Sequence, residues 1–111
     1  MLDQLLSAEL VLRVIASGAE PKFHSSIINN CPQIVILALC SCAVNLLNRK
    51  IPVSDDQLDR LRDHRRHLHN FADRSHSIAK KRKVLTARSA HKATELLSQL
   101  VLAALDNGDI Y

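Results

Sequence analysis

The chain has 111 residues, enough for one hydrophobic core and short of what two would need. Apolar residues make up 47%, yet only Phe23, Phe71 and Tyr111 are aromatic, and two Gly and three Pro leave few turn formers. That balance excludes a sandwich, a barrel or a βαβ fold. The lack of any long repeat excludes a solenoid, and 23% charged residues exclude wholesale disorder. The expectation is a single all-α domain over residues 1–111, a compact bundle of five to six helices around a central apolar helix at about 33–48.

In chain order, residues 2–17 read as a first helix with Leu5, Ala8, Leu12, Ile15 and Ala16 on one side and Gly18 as its stop. Pro21 opens a short second helix that pairs Phe23 with Ile27 and ends near Asn29-Asn30. Pro32 starts the third, from Gln33 to about Asn48. Between Ile34 and Leu47 its only polar side chains are Ser41 and Asn45. An apolar run of about 14 residues spans roughly 21 Å, against a hydrocarbon core of about 30 Å, so it reads as a core helix and not as a membrane span. Ile34, Leu37, Ala38, Cys40, Ala43, Val44 and Leu47 are the expected buried set.

Ser54-Asp-Asp-Gln57 carries a capping-box pattern after the connection Arg49-Lys50-Ile51-Pro52-Val53. It predicts a fourth helix from 55 to about 72 with Leu58, Leu61, Leu68 and Ala72 on one stripe. Ser75 or Ser77 can cap a fifth helix through Ile78 and Leu85. A last helix at about 90–105 gathers Ala93, Leu96, Leu97, Leu100, Val101, Ala104 and Leu105, and Asn107-Gly108 stops it.

The formal net charge of +4 is unevenly spread. Residues 1–48 carry a net −1, residues 49–92 a net +8 and residues 93–111 a net −3, and five of the six His lie in the basic block. A basic segment at about 60–92 between acidic flanks is the electrostatic footprint of a polyanion partner. Its sharpest feature is Lys80-Lys81-Arg82-Lys83, with no acid between Asp73 and Glu95. Such a tetrad suits a phosphate-binding patch or a nuclear-import signal. Arg62, Arg66, Arg74, Lys80, Lys81, Arg82, Lys83 and Arg88 are the candidate nucleic-acid-binding residues. Asp56–Arg60, Asp59–Arg62 and Asp63–Arg66 stand at helical pair spacings, and the stem of Arg65 falls near the Leu58–Leu61–Leu68 stripe. With Phe71 read as core, no aromatic is left in the basic block to stack on bases. Contacts to duplex DNA would then go to phosphates and carry little sequence preference.

Other chemistries are poorly supplied. His64, His67 and His69 lack a Cys pair or carboxylate at zinc-ligand spacing, so no metal and no cofactor is expected. There is no nucleophile elbow and no glycine-rich phosphate loop, so neither an enzyme nor a small-molecule substrate is expected. Cys31, Cys40 and Cys42 are an odd count in apolar surroundings. With an N-terminus that lacks a secretory n-region, they read as reduced thiols in an intracellular setting. The last helix has no cationic face, which argues against lying on a membrane.

Residues 39–54 (Leu-Cys-Ser-Cys-Ala-Val-Asn-Leu-Leu-Asn-Arg-Lys-Ile-Pro-Val-Ser), 61–75 (Leu-Arg-Asp-His-Arg-Arg-His-Leu-His-Asn-Phe-Ala-Asp-Arg-Ser) and 80–85 (Lys-Lys-Arg-Lys-Val-Leu) resemble the short basic proteins of polinton-like and adintovirus-type elements, which are adenovirus-related DNA viruses of animals. About half of the chain carries this pattern. The resemblance implies a virion-core or packaging role in a host nucleus or a virion, with Arg65, Arg66, Arg74, Lys81, Arg82 and Lys83 as the matching basic positions. Where the pattern continues with a glycine pair, this chain has Thr86-Ala-Arg-Ser-Ala-His-Lys. If that pair is a processing site, it is lost here, which leaves room for a host-domesticated copy. The leading expectation is sequence-nonspecific binding or packaging of duplex DNA. The alternative is a helical protein–protein interaction module, death-fold-like or Bcl-2-like, that binds a protein partner or a second copy and uses the tetrad only for nuclear import.

Overall fold

Gly18 sits at φ +85°, the left-handed conformation that L side chains avoid, and ends the first helix where expected. A Cβ there would lie 3.1 Å from Glu95 Oε1, so the close approach of the last helix also favours glycine. The computed structural model describes residues 2–18, 20–48, 50 and 53–106. Within them run α1 (Leu2–Ala16), α2 (Pro21–Asn30), α3 (Gln33–Leu47), α4 (Asp55–Arg62), α5 (Arg65–Phe71), α6 (Ile78–Leu85) and α7 (His91–Asp106), with a 3-10 turn at Arg88–Ala90 before α7. No strand occurs among the described residues, and the fold is all-α. The expected stop at Asn107-Gly108 and most of the connection at 49–53 lie outside the described residues, as do the side chains of Leu5 and Leu105.

Seven helices replace the expected five or six because the stretch 55–72 is not one helix. The capping box forms as the sequence predicts: Gln57 N donates to Ser54 Oγ at 3.2 Å and Ser54 N donates to Gln57 Oε1 at 2.9 Å. The helix then breaks at Asp63-His64, where His64 takes φ −112° and ψ 14°. Leu61 is the one buried side chain of α4, so little ties that half to the body. Leu68 and Phe71 anchor α5 along α3 instead. Leu58, expected on the buried stripe, is 49% exposed.

α3 packs against α1, α5, α6 and α7 and is the central helix, as its composition implies. Its buried face differs from the expected one. Val35, Ile36, Leu39, Cys40, Cys42 and Ala43 are buried, while Ile34 and Leu37 are 37% and 43% exposed. Ala38, Val44 and Leu47 are half-buried. A helix apolar on every side has no polar stripe to mark its orientation, and neighbours cover it from four directions except along Ile34, Leu37 and Ser41. On α2 the inward side chains are His24 and Ile28, while Phe23 is 65% exposed and Ile27 is half-buried against the core.

The α1–α7 pair is the most extensive helix contact, and both helices pack on α3, as do α5 and α6, which also pack on each other. α2 bridges the two sides through contacts with α1 and α6. One continuous cluster joins Leu12, Ile28, Leu39, Leu61, Phe71, Leu85 and Leu97, drawing on every α-helix. α7 carries two buried hydroxyls, Thr94 and Ser98, both satisfied by bonding back to carbonyls one turn earlier (3.0 Å each).

Candidate nucleic-acid interface

The tetrad lies on α6, whose buried side chains Val84 and Leu85 define its inward side; Ile78, expected as an anchor, is only half-buried. Lys81, four positions before Leu85, and Arg82, three before it, fall on that side and are half-buried. Ser77, not Ser75, caps the helix, its Oγ accepting from Lys80 N at 3.2 Å. Lys81 Nζ donates to the His76 carbonyl at 2.6 Å, closing the loop before α6. Arg82 Nη1 donates to the Ile28 carbonyl at 2.7 Å and to Cys31 Sγ at 3.6 Å. The Ile28 carbonyl is one of the last four of α2, which have no intrahelical partner. Arg82 therefore caps the C-terminal end of α2, where a cation also suits the helix dipole. Lys80 and Lys83 point outward. The tetrad is thus two surface cations and two cations committed to backbone carbonyls.

The other candidate cations are carried by α4, α5, the loop after α5 and the turn after α6. α5 exposes Arg65, Arg66 and His69, and its buried Leu68 and Phe71 face the core. α6 lies beside it and exposes Lys80 and Lys83. Arg74, in the loop between them, is exposed, as is Arg88 in the 3-10 turn that follows α6. Asp73 organises that loop: its Oδ1 accepts from Ser75 Oγ at 2.6 Å and Ser75 N at 2.9 Å, and these bonds hold its carboxyl below the usual range. Arg62 reaches Asp59 at 3.9 Å with both side chains well exposed, a pair that contributes little. Asp63 and Arg66 stand on either side of the helix break.

Two clefts border this surface. A groove of about 620 Å³ lies between the end of α3 and α4–α5, lined by Leu46, Leu47, Val53, Leu58, Leu61 and Leu68, with Arg62 and Arg65 at its edge. Arg65 therefore runs beside the leucines as its position predicts. A second cleft of about 480 Å³ between α3 and the α5–α6 loop brings Arg74 and Lys81 beside Leu37 and Phe71.

The histidine run builds no metal centre. Among the described residues no group of three or more His, Cys, Asp or Glu is placed to hold an ion. The His64 and His67 rings are 6.3 Å apart, and His67 stacks on Phe71 with centroids 6.2 Å apart. Cys31, Cys40 and Cys42 are buried free thiols, and burial pushes Cys40 up to about 11 and Cys42 up to about 12. No single described helix is long and apolar enough to cross a membrane.

One group escaped the sequence reading. His24, 2% exposed, lies under the start of α7 with its ring 4.5 Å from that of His91. Its Nε2 contacts the Leu85 carbonyl at 3.3 Å, and its buried Nδ1 has no partner. The four-residue spacing from the apolar Ile28 was the signal that places it inward. Comparison with protein-family models, with curated proteins and with solved structures finds no match to this chain.

Proposed function

We propose that this protein binds duplex DNA through its phosphates, without sequence preference, as a packaging or chromatin-associated protein. One observation carries the reading: α5 and α6 lie side by side on α3, and both turn their cations outward, Arg65 and Arg66 from one and Lys80 and Lys83 from the other. Arg74 from their loop, Arg62 before them and Arg88 after them extend the charge. Two adjacent helices offering positive charge on one side can neutralise several phosphates together, and each neutralised phosphate releases counterions. Phe71 is fully buried, so among the described residues this surface offers no Phe, Tyr or Trp ring to stack on a base, and contacts to phosphate carry no sequence information. A virion-core or host-nuclear setting accords with such a role.

The test is binding of two unrelated duplexes by the wild type and by the Lys80→Ala/Lys83→Ala variant. Similar affinity for the two duplexes, with a marked loss in the variant, supports the reading. Unchanged binding in the variant refutes it.

A second reading rests on the α3–α4–α5 groove, where a row of leucines including half-exposed Leu58 is bordered by Arg62 and Arg65. An amphipathic partner helix with acidic flanks fits that chemistry. Leu58→Asp abolishes such binding and leaves DNA binding intact, which separates the two readings.

A further inference from the structure

The start of α2 and the turn leading into α7 enclose a cleft of about 480 Å³ on the flank of the bundle, bordered by Lys22, His24, Ser25, Arg88 and His91. Lys22 and Arg88 are exposed cations at its mouth, and Glu20 is the one carboxylate bordering it. Glu20 occupies the N-cap of α2 yet makes no side-chain hydrogen bond to the first turn, so that helix end lacks the usual side-chain acceptor. The buried imidazole of His24 meets the same cleft with its Nδ1 unpartnered.

We infer that this cleft is an oxyanion site that takes a phosphate group, with Lys22 and Arg88 supplying charge and His24 supplying a buried donor once it is protonated. The protonation requirement follows from the hydrogen bonds. A carbonyl only accepts, so Nε2 carries the proton toward Leu85, and in the neutral ring Nδ1 holds a lone pair that no donor meets. Adding a proton turns Nδ1 into a donor that needs an acceptor, and an oxyanion is the acceptor this cleft can admit. The His24 ring is faced by the Leu85 carbonyl from α6 and by His91 and Glu95 from α7, and the cleft it borders also carries Glu20 just before α2, Lys22 on α2 and Arg88 in the 3-10 turn. Thr86 is not available as a donor, because its Oγ1 bonds to the Arg82 and Lys83 carbonyls. A bound anion and a bound proton therefore favour one another, and anion affinity rises as the pH falls. The site shares Arg88 with the DNA surface but needs neither Lys80 nor Lys83, so the two readings fail separately.

A phosphate here could belong to a free phosphate monoester or to a nucleic-acid backbone. Thermal unfolding of the full chain with low-millimolar sulfate and with inorganic phosphate, against chloride at equal ionic strength, tests the site. Sulfate keeps its charge between about pH 5.5 and 7.5, so any pH dependence of its effect belongs to the protein. The expected result is a rise in melting temperature with sulfate that is larger at the lower pH and lost in Lys22→Ala/Arg88→Ala. The His24 ring resonances should also titrate at higher pH with sulfate than without. A rise matched by chloride, or equal in wild type and variant, overturns the site, and a rise that does not grow toward low pH overturns the role of His24. Displacement of sulfate by a duplex lacking terminal phosphates assigns the phosphate to a nucleic-acid backbone, whereas retention assigns it to a free monoester. If the site fails while Lys80→Ala/Lys83→Ala still weakens DNA binding, only the oxyanion inference falls.

Discussion

Arg82 and Ile28 are 54 positions apart, yet the guanidinium of one donates to the carbonyl of the other at 2.7 Å. The bond fastens α6 to the end of α2 and brings the cation to Cys31, whose thiol burial pushes up while Arg82 pulls it back. Replacing Arg82 by Ala leaves the Ile28 carbonyl with only the weak Cys31 thiol donor at 3.4 Å, which costs about 1–2 kcal/mol. Lys83→Ala, one position along, should change stability by no more than about 0.5 kcal/mol. Urea unfolding of the two variants checks the contrast, and equal stabilities would show that the bond contributes nothing.

The orientation of α3 gives a second contrast. Leu39 is fully buried and Leu37 is 43% exposed. Leu39→Ala should cost about 2–5 kcal/mol, and Leu37→Ala less than about 1 kcal/mol. Chemical denaturation measures both, and the reverse order would mean that the helix is turned the other way.

These two cases show what was legible in the sequence and what was not. Helix ends were legible wherever a single residue dictates local geometry: Gly18 with its positive φ, Pro21, and the Ser54–Gln57 capping box. The face of α3 was not, because a helix with only Ser41 and Asn45 as polar marks offers no periodicity to read. The break at Asp63-His64 was hidden too, since Leu61 and Leu68 share a stripe on one continuous helix as readily as on two short ones. The tetrad reads as four equivalent charges only until Val84 and Leu85 fix the inward side of α6. Lys81 and Arg82 then turn toward carbonyls whose positions depend on the tertiary fold.

Burial pushes the His24 imidazole below its ordinary value near 6.5, opposed in part by its contact with the Leu85 carbonyl. The unfolded chain thus takes up this proton at higher pH than the folded one. Stability falls as the pH drops below about 6.5 and stops falling for this group once the lower folded value is passed. His24→Gln removes that dependence. Urea midpoints near pH 7.5 and 5.5 without added oxyanions measure it, and an identical pH loss in the variant would assign the effect elsewhere.

Cys40, near 11, and Cys42, near 12, hold almost no thiolate at neutral pH and lie in the core with Cys31. Since the thiolate is the reactive form, alkylation of the native protein should be slow at all three positions and fast in denaturant. Mass spectrometry after a timed pulse of iodoacetamide reads the difference. Rapid labelling of Cys42 in the native state would contradict its place beneath the neighbouring helices.

The central claim is that the outward cations of the α5–α6 side meet DNA phosphates, and the salt dependence of binding tests it most directly. With Lys81 and Arg82 committed to carbonyls, the available set is Arg62, Arg65, Arg66, Arg74, Lys80, Lys83 and Arg88. If about four of these reach phosphates, log affinity for a duplex against log salt should fall with a slope of roughly −3 to −4, from about 0.9 per phosphate. Lys80→Ala/Lys83→Ala should flatten that slope by about 2 without moving the melting temperature. A wild-type slope near zero, or an unchanged slope in the double variant, would contradict the assignment of this surface to DNA.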